Sequence, residues 1–227
     1  MRVFLETQRL VLRRFSTADV DNLVQLDADP DVMRFVNGGV PTPRYEIEND
    51  FLPAFLAYYD RYEGFGFWAV IEKASGEFLG WFHFRPRPDA AAGEVELGYR
   101  LRKPAWGRGY ATEGSRALIA KGFTESGVQR VVAEAMTVNV ASRRVMEKAG
   151  LKLVRATRQA LPHPVDGNQH VDVVGYALDK ACWQQEQADA TEQPLLFDAH
   201  FNEDCLRNIC EDRQVCHSMN RLPGADI

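Results

Sequence analysis

Residues 94–112 read Glu94-Val95-Glu96-Leu97-Gly98-Tyr99-Arg100-Leu101-Arg102-Lys103-Pro104-Ala105-Trp106-Gly107-Arg108-Gly109-Tyr110-Ala111-Thr112. In the first eight, Val95, Leu97, Tyr99 and Leu101 share one side, while Glu94, Glu96, Gly98 and Arg100 share the other. This period of two belongs to a strand. Arg102 to Ala105 form a short connection, and the glycine pair Gly107 and Gly109 then opens a helix. That helix carries Ala111, Ser115, Leu118, Ile119, Gly122 and Phe123 on one side and ends near Gly127. Glycines at such a strand-to-helix turn remove side chains where backbone N–H groups and the positive end of the helix dipole can surround an anion. Arg108 adds positive charge. The segment lacks the Gly-Lys-Ser/Thr of a P-loop and the third glycine of a dinucleotide-binding turn. On spacing alone, a tight turn and a diphosphate site both remain open.

Outward from this segment, the chain alternates strands and helices. Toward the N-terminus, Arg9 to Phe15 reads as a strand, and Ser16 or Thr17 caps a short helix ending near Asp29-Pro30. The Gly/Pro-rich run Asn37 to Pro43 is a loop. Ile47, Phe51, Phe55, Tyr58, Tyr59 and Tyr62 fit a second helix, and Phe65–Ile71 and Phe78–Phe84 form a hairpin covered on both faces. Toward the C-terminus, Val128 to Ala135 is a strand, and Asn139 caps a helix closed by Lys148 and Gly150. Leu151–Arg158 and Val171–Leu178 are strands around a turn-rich segment, 161–169. The order β-α-α-β-β-β-α-β-α-β-β predicts an α/β (α+β) fold, a mixed sheet flanked by helices.

The whole chain has 227 residues, 45% hydrophobic and 26% charged, which is the balance of a soluble globular protein. No stretch approaches the roughly 20 apolar residues of a membrane span. The opening Met1-Arg2-Val3-Phe4-Leu5-Glu6-Thr7 lacks the apolar run of a secretion signal, so a cytoplasmic protein without a membrane partner is expected. A net charge of −5 argues against nucleic acid as a partner. Residues 181–227 hold nine acidic and three basic side chains, while the remainder is nearly balanced. Two units are expected: residues 1–180 as the functional domain and 181–227 as an acidic C-terminal extension. Within the extension, Gln184 to Gln193 reads as a polar linker and 203–220 as a possible helix. Cys182, Cys205, Cys210 and Cys216, with His200 and His217, match no usual zinc spacing. Reduced thiols and no metal are expected.

Glu94 and Glu96 occupy the second face of the central strand. Two carboxylates on that face line either a cleft or a solvated sheet surface. Glu96 is the first candidate general base on this face, acting through water, and His83 the second. Asn139 reads as a helix cap, and Ser142, three residues on, lies in the first turn beside the same cleft.

Three separated motifs carry a family resemblance: Leu97-Gly98-Tyr99, Trp106-Gly107-Arg108-Gly109-Tyr110-Ala111-Thr112-Glu113, and Asn139-Val140-Ala141-Ser142-Arg143-Arg144-Val145-Met146-Glu147-Lys148-Ala149-Gly150-Leu151. Together they resemble the GCN5-related N-acetyltransferase (GNAT) superfamily. With Glu6-Thr7-Gln8-Arg9-Leu10-Val11-Leu12-Arg13, they are most similar to its RimJ/RimL-type branch. The resemblance spans roughly residues 1–180. It implies a mostly antiparallel sheet splayed in a V, acetyl-CoA as cosubstrate, and direct transfer to an amine of a protein N-terminus or small molecule, by a monomer or homodimer. Carried over residue by residue, it assigns the cofactor site to Leu101, Arg102, Gly107, Arg108, Gly109, Tyr110, Ala111, Thr112, Asn139 and Ser142.

Two positions depart from the superfamily pattern. Trp106 stands where Gln or Arg is usual, and either covers the cofactor or packs. Met146 stands where many members place a tyrosine that protonates the leaving thiolate. Methionine cannot donate a proton, so Ser142 becomes the candidate acid beside the candidate base Glu96. The other reading is an acyl-CoA-binding regulatory module without turnover.

Overall fold

The computed structural model describes residues 2–87, 90–163 and 167–192, excluding the side chains of 161–163, 167–169 and 191–192. The chain divides into two compact units, Met1–Lys180 and Ala181–Ile227. The first unit contains an eight-stranded sheet. Its strands are β1 (Val3–Glu6), β2 (Leu10–Arg14), β3 (Gly66–Glu72), β4 (Phe78–Arg85), β5 (Glu94–Leu101), β6 (Arg130–Met136), β7 (Lys152–His163) and β8 (Gly167–Asp179). They lie in the order β1-β2-β3-β4-β5-β6-β8-β7, and every neighbouring pair is antiparallel except β5 and β6.

That parallel pair sets the shape of the sheet. β5 and β6 are in register only at Glu94–Arg130, Val95–Val131 and Glu96–Val132. Beyond Glu96, β5 stays with β4 as far as Leu101, and β6 stays with β8 as far as Met136. The sheet therefore splits into two arms after Glu96, which is the expected V.

Helices cover both faces. On one lie α1 (Val20–Asp27), α2 (Pro30–Asn37), α3 (Arg44–Glu46), a π-turn (Ile47–Phe51) and α4 (Leu52–Arg61). Leu23, Leu26, Val32, Ile47, Leu52 and Phe55 from these elements pack on Phe67, Ala69, Phe78 and Trp81 of the hairpin. The aromatic stripe of the second helix thus includes core residues: Phe55 stacks on Phe67 at 3.9 Å between ring centroids. α5 (Tyr110–Glu125) crosses the other face, its Gly114 lying against the Phe82 ring. α6 (Val140–Lys148) follows β6.

Four differences from the sequence reading have local causes. β1 adds an edge strand before the expected first one, paired to β2 through Val3–Arg13, Leu5–Leu12 and Glu6–Val11. Pro30 begins a helix instead of ending one: Asp29 accepts the Asp31 N–H at 2.9 Å, and proline at the first position loses no helical hydrogen bond. β7 and β8 run further than expected, pairing out to His163 and Gly167. Residues 180–192, expected to include polar linker, form α7 (Lys180–Glu192), as their alanine, glutamine and glutamate content favours.

In the second unit, Cys182 is disulfide-bonded, which corrects its reading as a reduced thiol. Cys205, Cys210, Cys216, His200, His217 and the expected 203–220 helix lie outside the described residues. Among the described residues, no helix is long and apolar enough to cross a membrane.

Beneath the first helix, Arg13 and Asp19 are both buried and joined by two hydrogen bonds of 2.6 and 2.8 Å. Burial pushes the Asp19 carboxyl up, but Arg13, the Ser16 N–H and Asn22 together hold it below the usual carboxylate range. A depressed folded-state pKa contributes stability above the unfolded value, and that contribution is lost as pH falls through the folded value. Asp19→Ala leaves the Arg13 guanidinium buried without its counter-charge. It is expected to lower unfolding free energy by about 3–5 kcal/mol in urea titration at pH 7, with a smaller deficit in acid.

Candidate active site

The glycine turn has the geometry its sequence suggests. Gly107 and Gly109 take φ values of 71° and 81°, conformations that disfavour side chains with a Cβ. The first intrahelical hydrogen bond of α5 runs from Glu113 N–H to Gly109 O at 3.0 Å. The N–H groups of Tyr110, Ala111 and Thr112 therefore precede the helical ladder, leaving them to an external acceptor. The indole N–H of Trp106 donates to Leu101 O at 2.8 Å, so this side chain braces the loop while staying half exposed.

A polar cluster locks the turn from below. The Tyr110 ring lies between two guanidiniums, Arg9 at 4.5 Å and Arg108 at 4.8 Å. Its hydroxyl donates to Glu72, which also receives Arg108 at 3.1 Å and the Ser75 hydroxyl at 2.7 Å. Tyr110, with Ser75 and Arg108, holds the Glu72 carboxyl below its ordinary range. Arg108 thus points to the end of β3, and the turn offers an anion mainly backbone groups. Arg102 is likewise directed to Phe78 O and Gln25.

Glu113 fastens the N-terminal strands to the same helix. It accepts from the Thr7 hydroxyl at 2.5 Å, the Arg9 N–H at 2.9 Å and the Arg9 guanidinium at 2.6 Å, while Arg9 also donates to Arg108 O at 2.9 Å. These contacts explain physically why Thr7 and Arg9 accompany the glycine motif. Thr7, Arg9, Gly109, Thr112, Glu113 and Arg116 contribute to the wall of an open groove of about 640 Å³ beside the turn.

Glu96 sits at the point where β5 and β6 part. On its face of the sheet stand His83, Arg85, Gly98 and Arg100. Glu96 Oε2 is 3.2 Å from the Arg85 guanidinium and 3.5 Å from His83 Nε2. The latter is a contact rather than a hydrogen bond, since His83 Nε2 is buried without a hydrogen-bond partner. Burial, reinforced by Arg85 and Arg100, pushes His83 down to about 3. His83 is therefore neutral at physiological pH, with little affinity for a proton. Arg100 also reaches Asp27 at 2.6 Å, and Asp27 accepts from Thr42 at 2.8 Å. Glu94 lies 3.5 Å from Arg130.

Asn139 caps α6 by accepting the Ser142 N–H at 3.1 Å. Ser142 does not share a face with Glu96. Its Oγ is 3.0 Å from the hydroxyl of Tyr99, whose side chain rises from the opposite face of β5. Burial pushes the Tyr99 phenol up to about 12. Met146 is buried at 1% exposure and belongs to the core. Tyr99 was obscured in the sequence because it continues the apolar series Val95, Leu97, Leu101. Among the described residues, no group of three or more His, Cys, Asp or Glu is placed to hold a metal.

Comparisons with known proteins bear on the family and the fold. The family model described as "Acetyltransferase (GNAT) domain" matches residues 9–152. FsC-acetyl coenzyme A-N(2)-transacetylase of Aspergillus fumigatus is 30% identical over 204 residues, covering 86% of this chain and 84% of that protein. The uncharacterized protein YkkB of Bacillus subtilis is 32% identical over 159 residues, covering 68% and 88%. Among solved structures, a GNAT-family acetyltransferase from Bacillus anthracis superposes with a TM-score of 0.66 at 25% identity, covering 78% of this chain and 98% of that one. RimL, the ribosomal L7/L12 alpha-N-protein acetyltransferase in complex with coenzyme A, superposes with a TM-score of 0.67 at 20% identity, covering 80% and 99%.

A tight constraint on the face of Glu96 lies at Gly98, where an added Cβ would lie 2.5 Å from His83 Nε2. Gly98→Ala must displace the imidazole from beside Glu96. It is expected to reduce unfolding free energy by about 1–3 kcal/mol, measured by denaturant titration.

Proposed function

The chain belongs to the GNAT acetyltransferase family, and from that premise we propose that it transfers an acetyl group from acetyl-CoA to a primary amine by direct attack. The observation that carries this reading is the parting of β5 from β6 immediately after Glu96, with the glycine turn of α5 just beyond the end of β5. Backbone N–H groups of Gly107 through Thr112 receive the diphosphate. Leu101 and Arg102 border the pantetheine arm, and Asn139 and Ser142 meet the cofactor from α6. Acetyl-CoA supplies the activated acyl thioester.

Glu96 removes a proton from the amine through water, and a backbone N–H between Tyr99 and Leu101 steadies the developing oxyanion. Ser142 returns a proton to the departing sulfur. Holding the two substrates on opposite sides of one gap supplies much of the acceleration, because attack becomes effectively intramolecular. Residues 1–180 constitute the acetyltransferase domain in this reading, and 181–227 form an extension outside the mechanism.

The acceptor enters over the face bearing Glu96, Arg85, His83 and Arg100. A small-molecule amine is favoured by the Aspergillus fumigatus relative, whose name describes an N(2)-transacetylase and whose match extends over most of both chains. RimL, at 20% identity, bears on the fold alone.

Gly109→Glu places bulk and negative charge at the diphosphate. It is expected to reduce CoA affinity at least about a hundredfold by calorimetry while the variant stays folded, since hydrogen bonds to a charged group are each worth about 1.5–3 kcal/mol. Glu96→Gln is expected to lower kcat by about 10²-fold or more in a thiol-release assay with acetyl-CoA and amine panels, leaving CoA affinity near wild type. Wild-type CoA affinity in Gly109→Glu would remove the phosphate assignment. CoA binding without thiol release across amine and peptide panels would favour the regulatory-module reading.

A further inference from the structure

Two hydroxyl groups meet across the parting of the sheet. Tyr99 rises from β5 three residues beyond Glu96, on the stretch where the ladder with β6 has ended. Ser142 lies in the first turn of α6, the helix that follows β6. The phenolic oxygen is 3.0 Å from Ser142 Oγ and 3.0 Å from the Ser142 carbonyl oxygen. One side-chain pair therefore joins the β5 arm to the α6 side of the opening.

Both members are held independently of one another. The Ser142 main chain is fixed by its N–H bond to Asn139. The Tyr99 ring packs on Phe82, with centroids 5.8 Å apart, and the residue is partly buried. Ionised groups near the pair are engaged elsewhere. Arg143 donates to the Tyr176 hydroxyl and to Thr137 O, each at 3.2 Å, and Tyr176 donates to Glu147 at 2.8 Å. Glu96 and Arg100, the ionised neighbours on β5, project from its other face.

The phenol has one hydrogen and two acceptors. If the Ser142 carbonyl takes it, the serine hydrogen is committed to the phenolic oxygen. If Ser142 Oγ takes it, the serine hydrogen is released to a third partner. A hydroxyl that receives a hydrogen bond is also a better donor in its own right, because the bond polarises it. The second arrangement makes Ser142 a directed donor beside the gap between the arms.

We propose that Tyr99 is a positioning residue that donates to Ser142 Oγ and thereby aims the serine hydroxyl at the sulfur of CoA. This inference rests on the reading of the gap as an acetyl-CoA site. In transfer, the C–S bond breaks with its electron pair going to sulfur, and the Ser142 O–H proton passes to sulfur to form S–H. The C–N bond forms as the C–S bond breaks; the nitrogen's proton goes to Glu96 through water, and Ser142 Oγ takes a proton from water in the same relay as its own passes to sulfur. Tyr99 keeps its own proton throughout, in line with the high proton affinity of a buried phenol.

The proposal is testable with CoA alone, without a known acceptor. A donor aimed at sulfur favours the thiolate over the thiol, so the bound thiol should titrate below that of free CoA. The experiment follows thiolate absorbance of bound CoA against pH for wild type, Tyr99→Phe, Ser142→Ala, the double variant and Ser142→Thr. CoA affinity is measured calorimetrically, and folding by circular dichroism on the same samples. Tyr99→Phe retains the ring packed on Phe82 and removes only the hydroxyl. Both single variants are expected to raise the midpoint by about one unit, a tenfold change in acid constant. The double variant should match Ser142→Ala, and Ser142→Thr should return toward wild type.

A wild-type midpoint in Tyr99→Phe would overturn the proposal, as would a double variant shifted beyond Ser142→Ala. So would a wild-type bound thiol titrating no lower than free CoA. Failure of wild type to bind CoA would instead overturn the underlying site, and the calorimetry would reveal it before any titration.

Discussion

The loss of pairing between β5 and β6 after Glu96 is the constraint on which the rest of the site depends. A sheet continuous through this point would satisfy its backbone internally and leave no place for a ligand arm. Only three residue pairs join these strands, and each strand then follows its other neighbour, β4 for β5 and β8 for β6. Backbone polar groups along the gap need partners. An amide-bearing chain such as pantetheine can supply them as a strand would. The constraint also sets apart Glu96, the last paired residue, from Tyr99, one of the first beyond it.

The second requirement is a rigid turn at the start of α5. An orphaned helix terminus binds an anion well only if its N–H groups are preorganised, since ordering them on binding would offset part of the gain. Here that ordering is built from distant segments. Glu72 at the end of β3 holds Tyr110 and Arg108, and Glu113 holds Thr7 and Arg9 from the β1–β2 connection. Two carboxylates thus immobilise a turn whose own residues are mostly small. Arg108, read from sequence as added positive charge for the phosphates, contributes to this scaffold through its ion pair with Glu72.

What could be read from sequence follows the range of the interactions involved. The strand at 94–101, the glycine turn, the hairpin and the Asn139 cap depend on periodicity and local backbone chemistry, and each was legible. The V itself came only through family resemblance, since nothing in residues 94–101 states where a neighbour departs. β1 was missed because four residues at an edge carry little pattern. Pro30 was read as a stop, although the Asp29 side chain makes it a start. The engagement of Tyr99 with Ser142, and of Arg108 with Glu72, joins residues 43 and 36 positions apart. Such contacts are properties of the tertiary arrangement. Trp106, left between covering a cofactor and packing, is engaged by its indole hydrogen bond to Leu101 O.

The most direct measurement of the central claim is amide hydrogen exchange, with and without CoA, resolved along the chain by mass spectrometry. If the gap and the turn receive the cofactor, CoA should slow exchange in 97–101 and 107–112 and around Asn139, while the face of α1, α2 and α4 changes little. Protection confined to other segments, or none at all at saturating CoA, would contradict the account.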